Sequence, residues 1–413
     1  MRALLAFSWL WLAGASAAPA RQPYQAGIDV LLSNGAELLR GKRVALITHP
    51  AAVTKGLVPT ADALFRTPGV RLVALMGPEH GIRGAAYAGE RVADQRDPET
   101  GLPVYSLYGK TAEPTPGMLQ GVDVLVYDVQ DIGARSYTFI STLALAMDAA
   151  AKANIPFVVL DRPDPDGGLR VEGNVPPQGW KRSFVDWLPI PYVYGMTPGE
   201  LARMINGEGW LPGGRKCKLT VVRMEGWRRS MAFAGTGRPW VPTSPHIPRA
   251  ETSFFYAATG ILGELRVVNE GVGYPLPFEL LGAPWIDPDV FAAKLNALGL
   301  AGVRFRPLRY KPFYGTYKGK LCGGVQIHLL RPDRAPWTAI QFYAIEILRR
   351  LYPAHPLFAE ASAEGRAAFD RVLGGPQTRQ WLEAGKPVSK LLRAWRREDA
   401  AFRLRRRRYL LYR

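Results

Sequence analysis

Cysteine is nearly missing from this chain: Cys217 and Cys322 are the only two in 413 residues. A disulfide scaffold is therefore excluded, and because neither lies in a CxxC pair a structural zinc knuckle is too, while pairing of the two with each other stays open. Histidine is also scarce, at five residues, and none falls in an HExxH pattern. His49 and His80, which both follow apolar strand-like runs, are the remaining candidates for metal ligands, and without paired acidic ligands they are expected to hold none. The glycine fingerprint GxGxxG of a dinucleotide site is absent from its place after the first strand, where Thr48-His49-Pro50-Ala51-Ala52-Val53-Thr54 stands instead; no NAD or FAD, and no other cofactor, is expected. No GxSxG elbow is present, which argues against a serine hydrolase. Beyond the first residues no apolar run approaches the roughly 20 needed to span a bilayer, so no membrane insertion is expected. Acidic residues are in deficit, 35 against 53 Lys and Arg, for a formal net charge of +18.

Residues 1–18 read as a secretory signal peptide: Arg2, an apolar run from Ala3 to Leu12, then the small residues Ala15-Ser16-Ala17-Ala18. Export to the periplasm or the extracellular space turns the excess of positive charge away from nucleic acid and toward anionic glycans, peptidoglycan or membrane surfaces. Much of that charge sits between Trp395 and Arg413, with eight Arg against Glu398 and Asp399, where a solvated helix face is the better account of it. The length exceeds what one core supports, so two domains are expected.

From Gly41 short β-branched runs alternate with helical patterns, the mark of a parallel sheet covered by helices. Strands are expected at 42–47, 71–76, 122–127, 156–160 and 219–222; helices at 60–66, over the Ile140, Leu143, Ala144, Met147 and Ala151 stripe, and after Thr197-Pro198. Gly, Pro and Ser crowd residues 235–248 and erase any periodicity, which places the boundary there: an α/β domain over 21–240 and a smaller α+β unit over 241–413. The second unit is expected to hold strands at 303–305 and 325–329, a helix at 337–351 and three shorter helices.

In an open α/β sheet ligands bind beyond the carboxyl ends of the strands. Three consecutive ends there deliver acids, arginines and glycines: Gly77-Pro78-Glu79-His80-Gly81-Ile82-Arg83 with Glu90; Asp128-Val129-Gln130-Asp131 with Arg135 and Tyr137; and Asp161-Arg162 with Glu172. Paired carboxylates suit glycoside hydrolysis, one protonating the departing oxygen while the other activates water or attacks the sugar. Each acid also has a plain structural reading. Glu79 could brace its loop, Asp128 and Asp161 could cap the next helix, Glu172 could pair with Arg162 or Arg170, and Asp164 and Asp166 look like turn residues. Further on, Asn269, Glu270 and Glu279 lie in a glycine-rich stretch that can close over a glycan, and Trp240 and Phe278 serve either sugar stacking or an apolar seam.

At these residues the chain resembles the exo-β-N-acetylmuramidase (NamZ-like) family, long catalogued as a domain of unknown function. The similarity runs from Gly27-Ile28-Asp29-Val30-Leu31 through Gly77-Pro78-Glu79-His80-Gly81, Tyr127 to Tyr137, Leu160-Asp161-Arg162-Pro163, Val171-Glu172-Gly173 and Gly282-Ala283-Pro284-Trp285 to Tyr409-Leu410-Leu411-Tyr412. The resemblance implies a Rossmann-like domain with helices on both faces, a smaller auxiliary domain, and a cleft between them that removes N-acetylmuramic acid from non-reducing ends of peptidoglycan fragments. It assigns the catalytic carboxylates to Glu79, Glu90 and Glu172. Two places depart from the family pattern: Asp164 stands where Asn is common, and Glu270-Gly271-Val272-Gly273-Tyr274 lacks the usual arginine after the first glycine. Muramic acid carries a lactyl carboxylate, so Arg83, Arg135 or Arg162 is expected to hold it through a bidentate fork. The competing readings are a periplasmic binding protein for muropeptides or glycans, an envelope adhesin, and a stem-peptide amidase.

Overall fold

The computed structural model describes residues 23–87 and 89–413; the expected signal peptide lies outside the described residues. The chain order is α1 (Gly27–Ser33), β1 (Arg43–Thr48), α2 (Thr60–Arg66), β2 (Arg71–Gly77), β3 (Gln95–Arg96), β4 (Pro103–Ser106), β5 (Val124–Asp128), α3 (Phe139–Lys152), β6 (Phe157–Leu160), α4 (Pro198–Gly207) and β7 (Leu219–Val222). There follow α5 (Thr252–Gly263), β8 (Leu280–Ala283), α6 (Pro288–Asn296), β9 (Val303–Tyr310), β10 (Cys322–Leu329), α7 (Trp337–Leu351), α8 (Leu357–Glu360), α9 (Ala363–Val372), α10 (Gln377–Glu383) and α11 (Val388–Arg406).

Strand alternation builds two cores from one sheet. Val44, Leu46, Leu72, Leu75, Val124, Val126, Val158 and Leu160 point to the face covered by α1 and α2, through Ile28, Leu31, Ala61 and Leu64. Ala45, Ile47, Ala74, Met76, Leu125, Tyr127, Phe157 and Val159 point to the other, covered by α3 and α4 through Leu143, Met147, Leu201 and Ile205. Burial on both faces is why these strands read as unbroken apolar runs. The strand order is β3-β4-β2-β1-β5-β6-β7, parallel throughout except that β3 pairs antiparallel with β4. The order reverses between β1 and β5, so the crevice past their carboxyl ends faces the loops that follow β1, β2, β5 and β6.

Local chemistry fixes the helix starts. Thr197 accepts the amide of Glu200 at 3.2 Å while the Glu200 carboxylate accepts the amide of Thr197 at 3.1 Å, with Pro198 in the first turn. Asp287 caps α6 through the amides of Asp289 and Val290.

The second unit is α+β: an antiparallel sheet of order β8-β10-β9 with α5, α6 and α7 packed beside it. One reading is corrected. The last helix is not short but runs 19 residues, because Leu391, Leu392, Trp395 and Phe402 carry an apolar stripe through the arginines. The two cysteines are free and buried, with burial pushing the Cys217 thiol up to about 12 and that of Cys322 up to about 11. After α11 the chain returns to the first sheet, where the Tyr412 hydroxyl donates to Asp161 at 2.6 Å.

Candidate active site

A cleft of about 890 Å³ opens where the loops after β2, β4 and β5 meet the end of α5, the 270–278 loop and the β9–β10 connection. Glu79 and His80 enter from the first sheet together with Tyr108 and the run Ser136-Tyr137-Thr138; Glu264, Arg266, Glu270, Phe278 and Tyr317 face them from the second unit. Backbone strain concentrates here. Among the described residues seven that are not glycine have positive φ, and four of them, His80 (72°), Arg266 (56°), Phe278 (67°) and Tyr317 (63°), line this cleft. Such conformations persist only where surrounding contacts over-determine them, and they gather at functional sites.

Glu79 is held from two sides, its Oε1 accepting the amide of Gly89 at 2.9 Å and its Oε2 the hydroxyl of Thr138 at 2.7 Å. Burial together with the Glu79 charge and a hydrogen bond to it pushes the Tyr108 hydroxyl up to about 12, so that group remains a proton donor toward the carboxylate. Opposite, burial raises Glu270 to about 7, aided by the charge of Glu264 and opposed by Arg266. Burial also raises Glu264, with Arg266 and Arg371 opposing and Glu79 reinforcing. One firmly hydrogen-bonded carboxyl group thus faces two acids that burial shifts toward the protonated form, Glu270 to about 7, the division of labour that glycosidic cleavage requires.

Glycine makes room for one of these acids. A Cβ at Gly263 would stand 2.9 Å from Cδ and 3.1 Å from Oε2 of Glu270. Gly263→Ala is accepted by the helical backbone but displaces that carboxyl; kcat is expected to fall about 10- to 100-fold with the melting temperature unchanged or higher, as steady-state kinetics and thermal denaturation will show.

Of the fifteen residues singled out in the sequence, Glu79, His80, Tyr137 and Glu270 come together in this cleft. The other eleven do not line it. The Glu172 carboxylate pairs with Arg170 and accepts from the amide and hydroxyl of Thr338, both at 3.2 Å, bracing α7 in a separate hollow that shares no wall with the cleft. Glu90 folds back on the amide of Tyr87 at 2.8 Å on an exposed loop. The three arginines expected to read a lactyl carboxylate are all committed elsewhere. Arg83 bridges Asp62 and Asp97, Arg162 forks onto Asp128, and Arg135 is fully buried against Asp186.

The other placements outside the cleft have the same physical reason: a polar group past a buried strand must find a partner inside the protein. Asp128 also accepts the hydroxyl of Thr60 at 2.6 Å. The Gln130 side chain donates to the carbonyls of Asp131 and Pro163, and Asp131 accepts from Tyr194 and from the amide of Gly133. Asp161 ties the start of α4 through Thr197 and Gly199, with burial raising it to about 7. Asn269 braces the 269–272 turn through the Val272 carbonyl and the Gly271 amide, and Glu279 pairs with Arg249. Trp240 packs edge-on against Phe233 and lines a separate hollow with Tyr24, Asp29 and Arg162, whereas Phe278 lines the cleft beside Tyr256. Val272, at the position of the departed arginine, presents an apolar side chain to the cleft.

Glu264 and Arg266 escaped the reading of the sequence. Their signal was there: they are the charged pair inside the otherwise uncharged stretch from Phe254 to Val268.

Residues 44–251 match the family model described as exo-beta-N-acetylmuramidase NamZ, N-terminal, and residues 254–412 the one described as its C-terminal part. The peptidoglycan beta-N-acetylmuramidase NamZ of Bacillus subtilis (strain 168) is 41% identical over 408 residues, covering 97% of this chain and 96% of that one. Two solved structures of DUF1343 family proteins from Bacteroides fragilis NCTC 9343 superpose on it. One has a TM-score of 0.90 at 46% identity, covering 94% of this chain and 99% of that one. The other has a TM-score of 0.76 at 28% identity, covering 95% and 99%.

Proposed function

Since the chain belongs to the NamZ exo-β-N-acetylmuramidase family, we propose that it is a glycoside hydrolase releasing N-acetylmuramic acid from the non-reducing ends of peptidoglycan fragments, with the chemistry in the cleft that holds Glu79, Glu264 and Glu270. The observation that carries the site is the meeting of these three carboxyl groups in one strained, aromatic-walled cleft. Nothing favours a binding protein, which needs no acids poised to exchange a proton.

In this reading Glu79, fixed by Gly89 and Thr138, is the carboxylate that stabilises positive charge at the anomeric carbon or directs its attacking group, and Glu270 protonates the departing oxygen. Tyr137, whose hydroxyl donates to Thr243 at 2.8 Å, and Tyr256 and Phe278 form the apolar wall on which a sugar ring packs. Peptidoglycan lies outside the cytoplasm, and export through residues 1–18 would bring the enzyme to it.

Oligosaccharides of alternating wall sugars provide the test. Those ending in muramic acid at the non-reducing end are expected to lose one muramic acid, and those ending in N-acetylglucosamine to stay intact. A proton donor raised to about 7 is protonated below that pH and lost above it, so kcat/KM is expected to decline as pH rises past about 7, and Glu270→Gln removes that limb together with most of the rate. Release of internal fragments, or no release at all, refutes the exo-muramidase reading.

A further inference from the structure

The cleft carries three carboxyl groups and, among the residues that line it, a single guanidinium, that of Arg266. An anionic ligand entering such a place is repelled by the acids unless a cation meets it. With Arg83, Arg135 and Arg162 bound to aspartates in other parts of the fold, the geometry points to Arg266 as the residue that receives the lactyl carboxylate of muramic acid and so selects this sugar over its neutral counterparts. The assignment rests on the muramidase reading above.

Three observations support it. The side chain is 64% exposed, and its ion-pair partner Glu364, 72% exposed, stands at 3.8 Å, outside tight hydrogen-bonding range; an exposed pair of that length holds the guanidinium weakly and yields it to a better-placed anion. The backbone of Arg266 is left-handed, at φ 56°, in the turn that closes α5, where its amide bonds the carbonyl of Gly263 at 3.0 Å. Glycine is the residue that suits such a turn, so an arginine there runs against the preference of the backbone, and what it adds is the side chain. Finally, Arg266 bears electrostatically on both Glu264 and Glu270. The charge that binds the substrate's carboxylate therefore sits beside the acids that act on its glycosidic bond.

Arg266→Gly is the informative variant, because it relieves the left-handed turn and cannot be dismissed as misfolded. Two chromogenic β-N-acetylmuramides serve as probes, one with the free lactyl carboxylate and one with that group as its methyl ester. The native enzyme is expected to prefer the acid. Arg266→Gly is expected to lower kcat/KM for the acid about 10- to 100-fold and for the ester far less, collapsing the preference, while the melting temperature holds or rises. Arg266→Lys keeps a charge without the fork and is expected to retain part of the preference. Equal losses on acid and ester overturn the role of Arg266 and leave the muramidase reading standing, as does a native enzyme that prefers the ester. A native enzyme that cleaves neither probe overturns both.

Discussion

Glu79→Gln is expected to lower kcat on a chromogenic β-muramide by about three orders of magnitude or more, in keeping with the loss of a carboxylate from acid–base or nucleophilic chemistry, while the protein stays folded. Glutamine has the same shape, so the packing around Tyr108 and Thr138 is kept. What changes is the chemistry of the tip: one oxygen becomes an amide nitrogen that cannot accept, and either the Gly89 amide or the Thr138 hydroxyl, now bonded at 2.9 Å and 2.7 Å, loses its acceptor. The half-buried setting lets water replace one such bond, so the stability cost is on the order of 1 kcal/mol. A neutral amide can neither stabilise positive charge at the anomeric carbon nor hold a proton in transit. Retained turnover, with circular dichroism and melting unchanged, removes Glu79 from the mechanism. Glu172 provides the contrast, since its carboxylate is spent on Arg170 and Thr338.

What could be read in the sequence was set by period and by punctuation. The strands at 43–48 and 71–77 were legible because burial on both faces makes a run almost wholly apolar, the edge strand at 219–222 because its short run is β-branched, and the helices at 60–66 and after Thr197 because Pro59-Thr60 and Thr197-Pro198 mark where helices begin. β3 and β4, at two and four residues on the sheet edge, were not, since β3 is exposed throughout and the four residues of β4 are too few to establish a period. α5 was passed over for the opposite reason: with Phe254, Ala257, Ala258, Ile261 and Leu262 all buried, its stretch looks like core whatever its conformation. The site suffered from both effects. Strand ends announce where polar residues gather, which found Glu79, His80 and Tyr137, but a sequence does not say which of those residues already have a partner. Asp128 and Arg162 are 34 positions apart and neutralise each other, and each looked available until the other was seen beside it. The second wall of the cleft comes from residues about 180 positions further on, and only the fold brings Glu264 to face Glu79.

Arg135 shows how far a reading by residue type departs from one by environment, and its replacement is expected to be the most damaging to stability. Its side chain is fully buried. Nε lies 2.9 Å from Asp186, and the remaining nitrogens donate to the carbonyls of Ile190 and Val372, both at 2.7 Å, and to Asn174. Through Val372, at the end of α9, this one guanidinium ties the β5 loop to the second unit. Burial pushes Asp186 up to about 6 even with Arg135 opposing, so without the arginine that acid becomes an uncompensated charge at neutral pH or must take up a proton. Arg135→Ala is therefore expected to cost about 3–5 kcal/mol and to lower the melting temperature by on the order of 5–10 °C. The turnover of the fraction that remains folded is expected to lie within about threefold of the native value on muramide acid and ester alike, because the side chain does not reach the cleft. Pairing the change with Asp186→Asn removes the stranded charge, and the double variant is expected to recover on the order of 1–3 kcal/mol relative to the sum of the single losses. A selective loss of the acid substrate in Arg135→Ala, at undiminished stability, would return the carboxylate-reading role to this residue and take it from Arg266.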